Sequence, residues 1–323
     1  MAVTLAQAKL NVQDALQLGV IDEFRKSSFL FDNLTFDDCV SPTGGGSTLT
    51  YAYTRLVTQP TAAFRAVNSE YTASEVTKQR YTADLAIFGG SFEIDRVIAN
   101  MGGIVSEVTL QIQQKAKAAA ALFNDAVING DSANSSNAFD GLEKALTGSS
   151  TEYTPAAAIN LSTSAYIDSN YKVFLDEMDN FLSLLDGRPS ALLMNSKLWT
   201  KIRACARRSA AYTETKNEFG QNVSMYDGIP LVNLGAKAGS NTDVISTVAT
   251  TAQSNAGETS LYAVRFGLDG FHAVSMAGQP IIRQWLPDFS TAGAVKKGEV
   301  EMVAAVVLKA TKAAGVMRGL KVA

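Results

Sequence analysis

The chain contains one histidine, His272, and two cysteines, Cys39 and Cys205, which lie far apart and outside any CxxC spacing. A zinc site needs several His, Cys or carboxylate ligands, and a Ser–His or Cys–His pair needs an imidazole beside its nucleophile. His272 alternates with Phe271 and Ala273 in a strand-like run, the setting of a packed or surface imidazole. The two thiols read as buried or free in a reducing compartment rather than as a disulfide. Asp176, Glu177 and Asp179 fall on the polar face of a helix over 167–185, which makes a solvated face before it makes a cation site. Lys201, Arg203, Arg207 and Arg208 lie on or after a helix over 196–206. They fit a solvated or subunit-contact face first and phosphate contact second. The glycines of SPTGGGS (Ser41 to Ser47) lack the Lys-Ser/Thr of a phosphate loop and read as a turn. No catalytic, metal or cofactor site is expected from these residues, and the chain is not expected to be an enzyme.

The elements around these residues are more informative. A chain of 323 residues exceeds the size at which one core stops growing, so two lobes are expected. Its hydrophobic fraction of 46% is ordinary, its charged fraction of 18% is low, and its net charge of −3 does not suggest nucleic-acid binding. The longest apolar run, Met302 to Leu308, is far below the ~20 residues that span a bilayer. The start MAVTLAQAKLNVQD has no basic region followed by an apolar one, so no secretion signal is expected.

The organising element is a helical stripe from Ile104 to Asn129, preceded by Gly102-Gly103 and ended by Gly130. Ile104, Val108, Ile112, Ala116 and Ala120 form one line of it; Val105, Ala119, Phe123 and Val127 lie beside them. At ~1.5 Å per residue this spine would be roughly 39 Å long. Ahead of it, Thr4 and Gln7 fit a capping box opening a short helix that Gly19 ends. Residues 20–40 are rich in aromatics without clean periodicity and read as an apolar arm that lies on its own chain or on a neighbour. Leu49, Tyr51 and Tyr53 alternate with polar residues, as do Tyr81, Ala83, Leu85 and Ile87. The polar stretch Gln59 to Arg80 between them predicts a projecting hairpin, a structure that is marginal alone and mostly engages partners.

After the spine, Asp131 to Ala165 is irregular apart from a helical turn at 142–146, and a lobe boundary falls there. The helix over 167–185, a buried strand at 191–194 and the helix over 196–206 follow. Strands are then expected at 229–234, 244–248, 261–266 and 271–276, and in the tail at 281–286, 300–309 and 315–322. The fold class is α+β, with no internal repeat.

In this order, the segments resemble the major capsid proteins of tailed bacteriophages, whose fold is named after phage Hong Kong ninety-seven. TAAFRAVNSEYTASE (Thr61 to Glu75) is similar to that family's hairpin tip, and FGGSFEIDRVI (Phe88 to Ile98) to the strand leading into its spine. NGDSANSSNAFDGL (Asn129 to Leu142) resembles its Gly-Asp, spacer, Gly-Leu signature. SALLMNSKLWTKI (Ser190 to Ile202) resembles its buried strand and Trp-bearing helix, and YDGIPLV (Tyr226 to Val232) its Gly-x-Pro-Val strand. The resemblance implies an N-terminal arm over 1–47, an extended loop hairpin over 48–88 and a peripheral domain with the spine over 89–150. An axial domain would occupy 151–276, and strands over 277–323 would return to the peripheral domain.

The function it implies is a structural protein whose hexamers and pentamers form an icosahedral capsid around double-stranded DNA. Phe64, Arg65, Glu70 and Lys78 would make inter-subunit contacts, and Ile104, Val108, Ile112, Phe123 and Val127 would form the spine's core face. Implied partners are further copies of the chain, a portal protein, a scaffolding protein and packaged DNA held without sequence-specific binding. A decoration protein is a further candidate partner, and no membrane is involved. The location would be the virion, after assembly in a host bacterial cytoplasm. About 47 residues precede the hairpin, so scaffolding is expected from a separate protein or a longer precursor. One branch of the family joins a hairpin Lys to an Asn of a neighbour with a Glu as base. Here Lys78 and Glu299 or Glu301 are available, but no Asn follows Asn255, so a non-covalent shell is expected. An encapsulin-type nanocompartment is the main alternative, although the start of the chain does not look like theirs; another virion protein, such as a tail protein, is a further one.

Overall fold

The computed structural model describes residues 29–40, 49–58, 60–100, 106–209, 213–216, 222–237, 239–248 and 256–323. The capping box at Thr4, the triple glycine, Ile104 and Val105 lie outside these residues.

The spine, α3, runs from Glu107 to Asn129 and follows two short helices, α1 (Phe29–Asn33) and α2 (Arg96–Ala99). Its 23 residues span about 34 Å. It starts at Glu107 behind the N-cap Ser106, about one turn later than the apolar periodicity places it. Its stripe serves two separate cores. Phe123 and Val127 are fully buried in the main core, whereas Val108 and Ile112 are half-buried against a small cluster of Phe92, Ile94 and Ile98.

The main core is closed by a five-stranded sheet of β1 (Phe36–Val40), β4 (Ala86–Asp95), β12 (Phe271–Met276), β13 (Ile282–Trp285) and β14 (Val295–Leu308). The long β14 organises it: β4 pairs antiparallel along residues 295–304, and along its other edge β13 pairs with 299–302 and β12 with 304–308. β1 adds to β12 in parallel.

The second sheet is eight-stranded, in the order β5 (Glu152–Tyr153), β15 (Ala314–Lys321), β11 (Glu258–Val264), β7 (Ala191–Met194), β10 (Ile229–Asn233), β9 (Asn222–Tyr226), β8 (Thr213–Lys216), with β6 (Ile159–Asn160) also on β15. Helices α5 (Ser164–Ser183) and α6 (Ser196–Arg208) cover one face, and the other faces the spine's core. Strand β7 shows why four consecutive apolar residues are needed: Leu192 and Met194 pack toward the helices, Ala191 and Leu193 toward the spine side. Thr163 caps α5 through Tyr166 N and Asn195 caps α6 through Leu198 N, so a polar residue sets each helix start. A short helix, α4 (Leu142–Leu146), packs below the spine's end.

For the described part of the arm, its own chain is the surface it lies on, and three expectations need correction. Residues 29–40 are regular and packed on their own chain: Leu30, Leu34 and Val40 are buried, and Phe31 and Phe36 ring Phe123. That part of the arm therefore belongs to the core. The alternation over Tyr81–Ile87 is two strands in different sheets, because the chain leaves the hairpin at Asp84 and enters β4 at Ala86. Residues 244–248 form no strand; Val244 and Ile245 are buried from a loop instead. The boundary at 276 does not separate two lobes either. β12, expected in the axial part, lies beside β14 in the spine's sheet, and β15, expected to return to the spine, lies beside β11 in the other.

Candidate functional site

Strands β2 (Thr50–Thr58) and β3 (Thr77–Asp84) form a two-stranded sheet of their own. Cross-strand pairs run from Thr50↔Asp84 to Thr58↔Thr77, and Thr50 Oγ1 donates to Asp84 Oδ1 at 2.5 Å. Its root is fastened to the main sheet by side chains instead of a ladder. The Tyr53 hydroxyl donates to Leu308 O at 3.1 Å. Arg55 Nε donates to Lys309 O at 2.7 Å and Nη2 reaches Leu308 O, while the guanidinium lies over the Tyr81 ring at 4.5 Å. Burial pushes the Tyr53 phenol pKa up against the lowering effect of Arg55, so the hydroxyl stays a donor. The Tyr51 hydroxyl donates to Asp37 Oδ2 at 3.3 Å and its ring meets His272 edge-on at 6.0 Å.

Beyond the root, residues 60–76 have no ladder, and every described residue from Leu56 to Arg80 is exposed. The tip folds on itself through Arg65 Nη1 to Ser69 O (3.1 Å), Ser69 N to Ala66 O (3.2 Å) and Thr61 N to Ser74 Oγ (2.9 Å). Asn68 takes the left-handed conformation the turn requires (φ 65°). Arg65 lies over Tyr71 at 5.5 Å. Phe64 is fully exposed, Val67 is 88% exposed and Tyr71 64%. A soluble surface seldom presents so many large apolar side chains on one slender projection without a partner for them. Glu70 and Lys78 are also exposed there, Lys78 opposite Leu56 on β3.

No family model and no curated protein matches the sequence. Solved structures do match, over almost its entire length. The holo encapsulin complex of Synechococcus elongatus superposes with a TM-score of 0.64 at 13% identity, over 100% of this chain and 97% of that one. The capsid of the native GTA particle gives 0.62 at 13% identity, over 99% of both chains. The capsid of Myoviridae phage XM1 gives 0.60 at 12% identity, again over 99% of both. The chain has the tailed-phage capsid fold. At these identities the likeness is one of backbone, so the particular side chains below belong to this chain alone.

The capsid fold's turn after the spine holds a compact clasp. Gly130 and Gly141 approach so closely that Gly141 N donates to Gly130 O at 2.8 Å. A Cβ on Gly130 would come within 2.3 Å of Phe139 O, and one on Gly141 within 2.6 Å of Ala126 O. Gly130 ends the spine at φ −59°, so it is there for close approach and not for a left-handed turn. Lys144 bridges Asp131 Oδ1 (2.7 Å) and Asp140 Oδ1 (2.8 Å) across the loop. The hydrogen bond from Lys144 is the main cause holding the Asp131 carboxyl below its ordinary range. For Asp140, partial burial works upward but is outweighed by the bonds from Lys144 and Ser132, and its pKa is also lowered.

A second polar group joins this region to the eight-stranded sheet. Arg318 pairs with Glu143 at 2.8 Å and with Glu152, and the Tyr262 hydroxyl donates to Glu143. Arg318, Glu143 and Tyr262 border a cavity of about 290 Å³ that Ser246 and Glu258 also line. The Gly148 N–H, with Arg318, lowers the Glu152 pKa, and burial with Glu143 raises that of Tyr262.

Most of the other expected side chains are engaged structurally. Tyr226 OH donates to Asp179 Oδ1 at 2.6 Å and Tyr153 OH to Glu177; Asp176 is exposed. Among the described residues no group of His, Cys, Asp and Glu is arranged to hold a metal. Lys201 donates to Ser162 O and Arg208 pairs with Asp168, tying α6 to the start of α5, while Arg203 lies over Trp199 at 4.6 Å and Arg207 is exposed. Cys205 is a free thiol, fully buried, with its pKa pushed up to about 11 by that burial. No described helix is long and apolar enough to cross a membrane.

Sequence reasoning missed the root of the hairpin: Tyr53 and Arg55 reach carbonyls more than 250 residues away. The only local signal was aromatic enrichment at Tyr51, Tyr53 and Tyr81 on one strand face.

Proposed function

We propose that this chain is the shell subunit of a tailed phage, assembling as hexamers and pentamers into an icosahedral capsid around double-stranded DNA. The observation that carries this reading is the projecting hairpin: a fastened root and a tip whose Phe64, Val67 and Tyr71 find no apolar cover among the described residues. On a shell fold, the natural cover is an adjacent copy, with Arg65, Glu70 and Lys78 as the polar rim of the contact. The five-stranded sheet with the spine serves as peripheral domain, and the eight-stranded sheet with α5 and α6 as axial domain. Many modest copies of one contact give a closed shell that no single interface holds strongly. A net charge of −3 suits a wall that encloses DNA without gripping it. Portal and scaffolding proteins would be assembly partners, with a decoration protein as a further one, and the assembled chain would reside in the virion.

The superposition on an encapsulin favours a second reading, a shell around protein cargo. Electron microscopy of particles from infected or producing cells, with nuclease treatment before extraction of the contents, separates the two. Closed shells with protected DNA support the capsid and shells with protein alone support the nanocompartment; tubes or small oligomers refute both. Deleting Pro60 to Gln79 and closing the gap with a short turn should leave a folded, soluble chain that forms no closed shell. Normal particles from that deletion would remove the hairpin from the assembly contact.

A further inference from the structure

His272 is the chain's only histidine, and it sits in β12 with no exposed surface. Neither ring nitrogen makes a hydrogen bond of good geometry among the described residues, and the Gly270 backbone acts on the ring only as a weak acceptor, by less than burial does. An imidazole in that state is tolerated only while neutral, since a buried unpaired charge costs far more than a buried unpaired dipole. Its neighbours come from each element packed on it. The hairpin contributes Tyr51, whose ring meets the imidazole at 6.0 Å. β1 contributes Asp37, which holds the Tyr51 hydroxyl. The end of β14 contributes Val307 opposite it and then Lys309, whose Nζ lies over the Tyr51 ring at 5.4 Å. The turn before β12 contributes Asp269 and the Gly270 backbone. Burial and then Lys309 depress the imidazole pKa, against Asp37, Gly270 and Asp269.

We propose that His272 is an acid-sensitive latch under the root of the hairpin, whose protonation unseats Tyr51 and frees the hairpin while the sheets remain folded. The argument is one of access to water. On its strand, His272 is flanked by β14 and β1, both joined to β12 by backbone ladders. Apart from the covalent continuation of β3 through Leu85 into β4, the hairpin is held to that sheet, among the described residues, by the side chains of Tyr51, Tyr53 and Arg55 and not by a ladder. A charged imidazole needs hydration, and lifting Tyr51 breaks no ladder hydrogen bond of the main sheet. Lys309 acts in the same direction, because it shares the Tyr51 ring and repels an imidazolium. The inference concerns how the hairpin is held and stands whether the shell encloses DNA or protein.

The sign follows from linkage. A histidine whose folded pKa lies below its unfolded value of 6.5 contributes docking that is complete above pH 6.5. That contribution falls as the pH drops toward the folded pKa, by at most about tenfold per pH unit for one proton. The test is hydrogen–deuterium exchange by mass spectrometry on the full chain at pH 7.5, 6.0 and 5.0, corrected for intrinsic exchange rates. Peptides covering 50–58 and 77–84 should lose protection several-fold more than those covering 295–308 between pH 6.0 and 5.0, and His272→Phe should abolish the difference. Equal loss in both regions, or the same selective loss in His272→Phe, overturns the proposal. If His272→Phe does not fold, exchange at the C2 carbon of the single histidine decides in the wild type. A midpoint at or above pH 6.5, or one that does not coincide with loss of hairpin protection, refutes the latch.

Discussion

Replacing Phe123 by alanine removes the ring on which four others converge. Phe36, Phe88 and Phe139 have ring centroids at 6.0 Å from it, and Phe31 at 6.1 Å, edge-on. These come from α1, β1, β4 and the loop after the spine, so one side chain joins four segments of the chain. Full burial of a phenylalanine contributes about 1.5–3 kcal/mol by transfer alone. Void that the surroundings fail to fill adds about 24 cal/mol per Å³, and aromatic pairs add about 0.5–1.5 kcal/mol each beyond area. Because four rings from separate elements cannot collapse together into one gap, Phe123→Ala should lie high in the usual range of about 3–5 kcal/mol. Phe123→Asp, which buries an unpaired carboxylate, should be at least as severe. Gln113 is exposed on the opposite face, and Gln113→Glu should stay within about 0.5 kcal/mol. Urea titration of the soluble subunit, followed by tryptophan fluorescence, measures all three. A Phe123→Ala cost below about 1.5 kcal/mol, or one equal to that of Gln113→Glu, would refute the idea that this ring joins the spine to its sheet.

Gly141→Ala should lower the melting temperature more than Gly148→Ala, because a Cβ at 141 meets three backbone atoms within 2.8 Å and one at 148 meets none, although 148 has a positive φ; calorimetry with the order reversed would disprove the close-approach argument. Asp131 and Asp140 have lowered pKa values through Lys144, so their contribution is present above the ordinary carboxylate range and is lost as pH falls through the folded values. Lys144→Met should therefore destabilise at pH 7 and converge on wild type near pH 2; a constant difference across that range counts against the clasp. Lys78 is exposed on the hairpin, yet no asparagine follows Asn255, so mature particles boiled in detergent and reductant should give one band at 34.3 kDa. A ladder of covalent oligomers would show that another acceptor exists.

Local pattern carried much of this architecture. The Ala-rich stripe ending at Gly130, the ALLM strand and the capped helix after Asn195 each declare themselves, because helix and buried-strand periodicities are properties of neighbouring residues. The hairpin was equally legible, since a polar stretch of that length between two alternating runs has nothing to bury. Sheet membership was not. Alternation says which side chains share a face but names no partner strand, so it ran unbroken through Asp84 and Leu85 where the chain changes sheets. For the same reason β12 and β15 exchanged their expected places. Nor could spacing reveal that Arg55 and Tyr53 would meet the carbonyls of 308 and 309, that Lys144 would span two aspartates, or that the only imidazole would be sealed under Tyr51. Those contacts arise when segments remote in sequence are brought together around Phe123, and packing in three dimensions alone decides them.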